Sequence, residues 1–116
     1  METKKKNKYG SRKILIDGIL YDSKLEADRH QQLKILERAG IIKDLKYHVS
    51  LPIIEKSEFG GQICYEADFV YIKDGKKVIE DVKSEPTKTR LYRLKKRLIA
   101  EKYGIVITEY MKEKEE

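Results

Sequence analysis

The sequence predicts a single α/β domain of the α+β kind, with a mixed, mostly antiparallel sheet, two flanking helices and the element order ββαβββαβ. Three observations support this prediction. Hairpin turns of the Asp-Gly type lie between apolar stretches at Asp17-Gly18 and Asp74-Gly75. Several segments alternate apolar and polar residues, as half-buried strands do. Two further segments have apolar residues at helical spacing and are followed by glycine.

Size and charge limit the classes of function. A chain of 116 residues can bury one modest core, so we expect one domain at 13–111 between a flexible basic arm at 1–12 and a charged tail at 112–116. The formal charge of +6 favours a polyanionic partner without identifying it. The single cysteine, Cys64, disfavours a disulfide framework or a cysteine zinc site. No apolar run approaches the ~18 residues of a membrane span, so a cytoplasmic protein is expected.

The first half of the chain predicts a β-ribbon followed by a helix. Apolar residues flank Asp17-Gly18 on both sides and predict two short strands, at 14–16 and 19–21. Ser23 is a favourable N-cap and Gly40 a favourable left-handed stop, so the first helix should cover about residues 24–39.

The remaining elements follow from periodicity. Strands are predicted at 45–53, 62–72 and 76–83, with each strand's odd-numbered apolar residues on one face. Thr89 as N-cap and Gly104 as stop bound a second helix, after which residues 105–110 form the last strand.

The second Asp-Gly turn places two acids opposite each other. If Asp74-Gly75 is a two-residue turn, Lys73 pairs with Lys76 and Asp68 faces Asp81. Directly opposed carboxylates repel, so a divalent cation such as Mg²⁺ is the simplest occupant between them. Lys83 lies two residues beyond Asp81 on the same face of its strand, within reach of that site. The alternative is a surface hairpin with solvated acids and Lys83 paired to Glu66.

These residues resemble a known nuclease motif. Asp68 in Tyr65-Glu66-Ala67-Asp68-Phe69, followed by Asp81-Val82-Lys83, resembles the signature of the PD-(D/E)XK, or restriction endonuclease-like, superfamily, with Ala67 in place of the motif's proline. In order of elements the resemblance covers about residues 13–110. It is closest to archaeal-type Holliday junction resolvases, transposon-end endonucleases and small phage or prophage proteins.

The resemblance implies a restriction endonuclease-like core and a catalytic site. Asp68, Asp81 and the backbone carbonyl of Val82 would bind Mg²⁺ or Mn²⁺, and Lys83 would position or deprotonate water. Superfamily members commonly carry a further acid on the preceding helix, a place that Glu26 occupies. Glu26 is therefore a candidate catalytic residue and a ligand of a second metal, but Ser23-x-x-Glu26 is also a capping box that needs no function.

Other polar residues have less specific expectations. His30 and His48 are in no metal-binding pattern and should be surface or internally satisfied residues. Glu80 should point to the apolar face opposite Phe69, for which only a nearby basic residue or a shifted turn could account.

The second helix predicts a DNA-contacting face. Its arginines fall within one narrow arc, beside a stripe formed by Leu91, Leu94 and Leu98. Lys95 lies between this stripe and that of Tyr92, Ile99 and Tyr103, so it should reach toward the sheet unless it extends to solvent. The alternative for the arginines is an ordinary solvated face. The complete set of expected DNA-binding residues is Arg12, Lys13, Lys88, Arg90, Arg93, Lys95 and Arg97.

The expected function is therefore hydrolysis of phosphodiester bonds in DNA by a Mg²⁺-dependent endonuclease. Branched or junction DNA is the expected substrate, a homodimer the expected assembly, and phage or prophage DNA recombination the expected setting. Neither a nucleotide cofactor nor a membrane is expected. A catalytically weak, nuclease-like DNA-binding or regulatory module is the alternative, and an inhibitor of a host factor is a third possibility.

Overall fold

A computed structural model describes residues 13–111, apart from the side chain of Glu85. Its elements confirm the predicted order, with one short 3₁₀ turn added: β1 (Ile14–Ile16), β2 (Ile19–Tyr21), α1 (Lys24–Arg38), β3 (Ile42–Ile54), β4 (Ile63–Lys73), β5 (Lys76–Val82), the 3₁₀ turn (Glu85–Thr87), α2 (Arg90–Tyr103) and β6 (Thr108–Tyr110). The expected arm and tail lie outside the described residues. The last strand is shorter than predicted, because Ile107 is buried without pairing to a neighbouring strand.

The strands form two sheets. β1 and β2 make a separate ribbon, and the other four strands are arranged in the order β3-β4-β5-β6. The first two pairings in this larger sheet are antiparallel, whereas β5 and β6 run parallel. A parallel pair needs a crossover connection, and α2 supplies it. The structure is thus a mixed, mostly antiparallel α+β fold.

Local signals set the ends of both helices. The Ser23 hydroxyl accepts a hydrogen bond from the Glu26 backbone N–H at 3.1 Å, and the Thr89 hydroxyl accepts from that of Tyr92 at the same distance. At the end of α1, Gly40 has a φ of 79° and the Ile41 N–H donates to the Leu36 carbonyl at 2.9 Å. This six-residue bond is the main contact of a Schellman motif. Both helices therefore begin and end as their capping residues predict, within one residue.

Each helix covers one side of the larger sheet. Leu33 of α1 packs with Ile42, Phe69 and Tyr71, and we call this cluster the α1 layer. The second cluster, the α2 layer, contains two buried residues of α2 and residues from four other parts of the chain: Leu51, Ile53, Tyr65, Ala67, Val70, Ile79, Tyr92, Ile99 and Ile107. Within residues 13–111, no helix has the length and apolar character needed to cross a membrane.

The faces of β3 and β4 differ from the simple alternation that the sequence predicted. In β3, Tyr47 packs in the α1 layer and Val49 in the α2 layer, although both should share one face. In β4, Ala67 and Phe69 are divided in the same way. His48, between the first two, has a φ of 59°, and a left-handed residue interrupts the alternation of side chains along a strand. The prediction of one continuous apolar face was therefore wrong for both strands, and the left-handed backbone of His48 accounts for the change of face in β3.

The two apolar stripes predicted on α2 are not buried equally. Leu91 and Leu94 are 59% and 55% exposed, whereas Tyr92 and Ile99 are buried. Tyr92 and Ile99 lie nearly in line on the helix surface, and Leu94 is on its far side at about 100° per residue. The stripe of Tyr92, Ile99 and Tyr103 therefore faces the sheet, and of the leucine stripe only Leu98 packs against the α2 layer.

Candidate active site

The two acids predicted to face each other lie where the β4–β5 ladder ends. The predicted register is confirmed from Lys73 opposite Lys76 to Phe69 opposite Glu80. At the next position, side chains replace the backbone ladder. The Asp68 N–H donates to Asp81 Oδ1 at 2.8 Å, and the Val82 N–H donates to Asp68 Oδ2 at 2.9 Å. Each carboxylate is thus fixed by the opposite strand through one oxygen.

Burial makes the charged forms of these acids costly. Asp81 is only 1% exposed and Asp68 is partly buried. Burial raises the pKa of Asp68 to about 6, although the hydrogen bond from Val82 opposes the shift. Burial also raises the pKa of Asp81, against the hydrogen bond from the Asp68 backbone and the charge of Lys83. A divalent cation would offset this cost because it stabilises both carboxylates in the charged form.

Lys83 lies at this site and not on the surface. Its Nζ is 3.8 Å from Asp81 Oδ2 and 4.1 Å from the centroid of the Tyr92 ring. The expected alternative partner, Glu66, instead accepts a hydrogen bond from the Ser50 hydroxyl at 2.9 Å. The alternative of a solvated hairpin with a Lys83–Glu66 pair is therefore wrong.

Glu26 combines a capping role with a place beside the acids. It is 4% exposed, and its Oε1 accepts from the Asp22 N–H at 3.3 Å, one residue before the reciprocal bond of a capping box. Its Oε2 accepts from the Tyr47 hydroxyl at 2.9 Å. The Glu26 charge raises the pKa of Asp68 and of Asp81. Three acids from α1, β4 and β5 therefore lie close enough to interact electrostatically.

His48 is a residue of this site that sequence reasoning missed. The pairs on either side of it, Tyr47–Phe69 and Val49–Ala67, place it opposite Asp68. Its Nε2 lies 3.2 Å from Glu26 Oε2. Only the β3–β4 register could have located it, because no short motif contains it.

A group of possible metal ligands adjoins the aspartate pair. Asp22, Glu26 and His48 each offer one ligand atom, and these atoms lie within 4.8 Å of one another. The separation is compatible with ligands of one ion, because oxygen and nitrogen ligands lie about 2.0–2.2 Å from Mg²⁺ or a first-row transition metal.

The other polar predictions have definite outcomes. His30 is satisfied, as expected: it is buried, with its Nδ1 2.7 Å from the Tyr21 hydroxyl. Glu80 does point into the α1 layer, where it receives two hydrogen bonds from Arg29, at 2.6 and 2.9 Å, and one from the Tyr71 hydroxyl at 2.7 Å. The nearby basic residue, and not a shifted turn, accounts for Glu80.

Two lysines predicted to bind DNA have protein partners. Lys88 Nζ lies 3.0 Å from Glu109, which also pairs with Lys96 at 2.9 Å. Lys95 reaches the sheet, as expected, but donates to the Cys64 carbonyl at 3.1 Å. Cys64 is four residues before Asp68, about 13 Å along a strand, so Lys95 lies away from the aspartate pair.

The arginines of α2 are exposed, as the prediction required. Arg97 pairs with Glu101 at 2.9 Å, one turn later on the helix surface. Arg90 and Arg93 have no ion-pair partner within residues 13–111. Lys13 pairs loosely with Asp22 at 3.3 Å. Arg12, the remaining predicted contact, lies outside the described residues.

Comparison with known proteins identifies the family. Residues 6–114 match the family model described as "Protein of unknown function (DUF1064)". The chain belongs to the DUF1064 family. No curated protein and no solved structure matches this DUF1064 member.

Proposed function

We propose that this DUF1064 member is a divalent-metal-dependent DNA endonuclease. The observation that supports this best is the Asp68–Asp81 pair, in which each carboxylate is fixed by a backbone N–H of the opposite strand. Fixed, largely buried carboxylates next to a lysine suit phosphodiester hydrolysis better than a purely structural role, because a fold without a cation would gain stability by replacing them.

Each residue of the site would have its own role in the reaction. Asp68, Asp81 and the Val82 carbonyl would hold Mg²⁺ or Mn²⁺. When bound, the ion would polarise the phosphate and lower the pKa of a water molecule. Lys83, 3.8 Å from Asp81, would orient the attacking water or stabilise charge on the phosphate.

Glu26 extends the site beyond the first ion. Together with Asp22 and His48 it would hold a second cation or an outer-shell water, since their ligand atoms lie within 4.8 Å. An imidazole in this group favours Mn²⁺ over Mg²⁺ there, because nitrogen ligands suit transition metals better.

The proposed substrate is DNA, and branched or junction DNA in particular. The net charge of +6 supports contacts with phosphates, as do the exposed Arg90 and Arg93, which have no ion-pair partner in the described part of the chain. Two copies acting as a homodimer would cut two strands with one site each. The setting that we propose is a cytoplasm, that of the host cell if a phage encodes the chain.

Nuclease assays on defined substrates test the proposal. Labelled single strands, duplexes, splayed arms, flaps and four-way junctions are incubated with Mg²⁺, Mn²⁺ or EDTA. We expect metal-dependent cutting, with 5′-phosphate ends, by the wild type and by Asp74→Asn, and none by Asp81→Ala. Asp74 is the matched control because it is an exposed acid in the turn of the same hairpin. Binding without cutting under every metal would overturn the proposal in favour of a DNA-binding module.

A further inference from the structure

We propose that Tyr92 is a positioning residue, which holds the Lys83 ammonium beside Asp81 without letting it close onto the carboxylate. The inference rests on the proposed function of the site, and it assigns a role to a residue of α2 that the proposed reaction does not itself use.

The Lys83 ammonium lies near both Asp81 and the ring of Tyr92. At 3.8 Å from Asp81 Oδ2, its Nζ lies beyond the 2.7–2.9 Å of a charge-assisted hydrogen bond. Its distance of 4.1 Å from the Tyr92 ring centroid is well within the range of a cation–π contact. The ammonium is therefore held by the ring face, and it leaves Asp81 Oδ2 open on that side.

Tyr92 is itself held firmly. It is 6% exposed, and its hydroxyl donates to Glu109 Oε2 at 2.7 Å. Lys88 pairs with Oε1 and Lys96 with Oε2 of that carboxylate. Although burial raises the pKa of Glu109, the hydrogen bonds from Lys96, Tyr92 and Lys88 lower it to about 2. A charged acceptor on the phenol increases the electron density of the ring and so strengthens its attraction for the Lys83 ammonium.

This arrangement solves a conflict within the site. A cation on Asp81 and an ammonium nearby repel each other, yet the reaction needs both. Without the ring, Lys83 would form a direct ion pair with Asp81, its ion-pair partner within residues 13–111. Lys83 would then compete with the metal for Asp81 Oδ2. Loss of the ring should therefore weaken metal binding more than DNA binding.

The first test measures the contact without any metal. A lysine ε-methylene above an aromatic face gives NMR signals shifted upfield by the ring current. We expect such signals for Lys83, assigned from the spectrum of Lys83→Met, in the wild type and in Tyr92→Phe. Ordinary lysine shifts for Lys83 in the wild type would overturn the proposal, whatever the variants do.

The second test measures Mn²⁺ affinity by electron paramagnetic resonance. We expect Tyr92→Leu to weaken binding about 3- to 30-fold, the range that corresponds to a cation–π contact. Tyr92→Phe, which keeps the ring, should stay within about 3-fold of the wild type. Tyr65→Leu is the matched control, because Tyr65 is buried in the same layer with its ring centroid 6.3 Å from that of Tyr92. Equal losses in Tyr65→Leu and Tyr92→Leu would overturn the proposal.

A double-mutant cycle separates positioning from packing. In a Lys83→Met background, Tyr92→Leu should have no further effect on Mn²⁺ affinity. An undiminished effect there would assign Tyr92 a packing role alone. If the wild type binds Mn²⁺ with the expected coupling but cuts no DNA, the proposed nuclease function fails while the role of Tyr92 stands. If Tyr92→Leu does not fold, Tyr92→Met takes its place.

Discussion

At the scale of single residues, Asp81 shows what the site costs the fold. It is 1% exposed, its Oδ2 lies 3.8 Å from Lys83 Nζ, and its Oδ1 accepts a hydrogen bond from the Asp68 N–H. Burial of a charge without a close partner is unfavourable, so the apo-protein stores a penalty here that a metal would relieve.

Neutralising either acid should therefore stabilise the metal-free protein. We expect Asp81→Asn to raise the free energy of unfolding by about 1–3 kcal/mol at pH 7.5 in EDTA, because the amide still accepts the Asp68 N–H without a buried charge. Urea unfolding measures this. Asp74→Asn, in the exposed turn, should change stability by less than about 0.5 kcal/mol. A loss of stability in Asp81→Asn would contradict the account of a buried, costly charge.

The penalty at Asp68 depends on pH with a definite sign. Its folded pKa of about 6 lies above the ordinary value of 3.8, so between these values the folded state binds more protons than the unfolded state. This contribution therefore destabilises the fold increasingly as pH rises from about 4 to 6, by up to about 3 kcal/mol. We expect the stability of Asp68→Asn relative to wild type, in EDTA, to grow across this window and then level off. A constant difference would contradict the raised pKa.

The Arg29–Glu80 pair is a residue-scale case of the opposite kind. Among the described residues, Arg29→Met leaves the buried Glu80 carboxylate with the Tyr71 hydroxyl as its remaining hydrogen-bond donor. We therefore expect the free energy of unfolding, measured in urea, to fall by about 3–5 kcal/mol. A double variant with Glu80→Leu should recover most of that loss. Lys24→Met, which breaks the exposed Lys24–Asp28 pair, should cost only about 0.3–0.5 kcal/mol. Equal costs in the two single variants would refute the buried-pair account.

At the scale of elements, α2 buries one of its two apolar stripes and leaves two leucines of the other exposed. Its interior stripe includes Tyr92 and Ile99, whereas Leu91 and Leu94 lie exposed beside the arginines. One side of the helix thus packs in the core and contacts Lys83 through Tyr92. The other side presents leucine and arginine side chains to solvent.

Truncations along α2 should report this division. Ile99→Ala should destabilise the fold by about 2–5 kcal/mol, because Ile99 is fully buried in the α2 layer. Leu94→Ala, on the exposed stripe, should cost less than about 0.5 kcal/mol. Chemical denaturation of both variants measures the difference. A cost above about 2 kcal/mol at Leu94 would contradict its exposed position.

Element boundaries followed closely from sequence because their causes are local. Ser23 and Thr89 accept backbone hydrogen bonds at the starts of the helices, and Gly40 and Gly104 have positive φ at their ends. Which face a helix buries depends instead on the elements packed against it. Aromatic and aliphatic stripes of similar hydrophobicity on α2 could not be ranked without that partner surface.

Part of the candidate site was predictable from sequence, because that part also depends on local signals. A two-residue turn fixes a hairpin register, so the Asp68–Asp81 pairing and the inward direction of Glu80 followed from counting. His48 did not follow, because its place depends on a longer loop between β3 and β4 and on its own left-handed backbone. The partners of Lys88 and Lys95 come from β6 and β4, which no local pattern connects to α2.

At the scale of the whole molecule, charge should govern the encounter with DNA. The formal charge is +6, but part of it is engaged in internal pairs such as Lys96–Glu109. Arg90 and Arg93 of α2 are exposed, so their guanidinium groups can contact phosphates. Counterion release then predicts binding that weakens steeply with salt.

Salt titrations test which cations take part. Arg90→Gln and Arg93→Gln should each reduce the slope of log K against log salt for duplex binding by about 1. Lys76→Gln, at the exposed β4–β5 turn, is the control and should leave the slope unchanged. Fluorescence anisotropy with EDTA present measures binding without cleavage. Unchanged slopes in both arginine variants would assign DNA contact to another face.

The backbone of β3 has a consequence for the molecule in concentrated solution. β3 has 13 residues and lies at an edge of the sheet. A long edge strand can pair with a strand of another chain, which leads to aggregation. Two positive-φ residues, Asp44 and His48, interrupt its regular pleat, and Pro52 offers no N–H. A second chain cannot extend a continuous ladder along such an edge. We therefore expect the irregular backbone around His48 also to oppose polymerisation of the protein through β3.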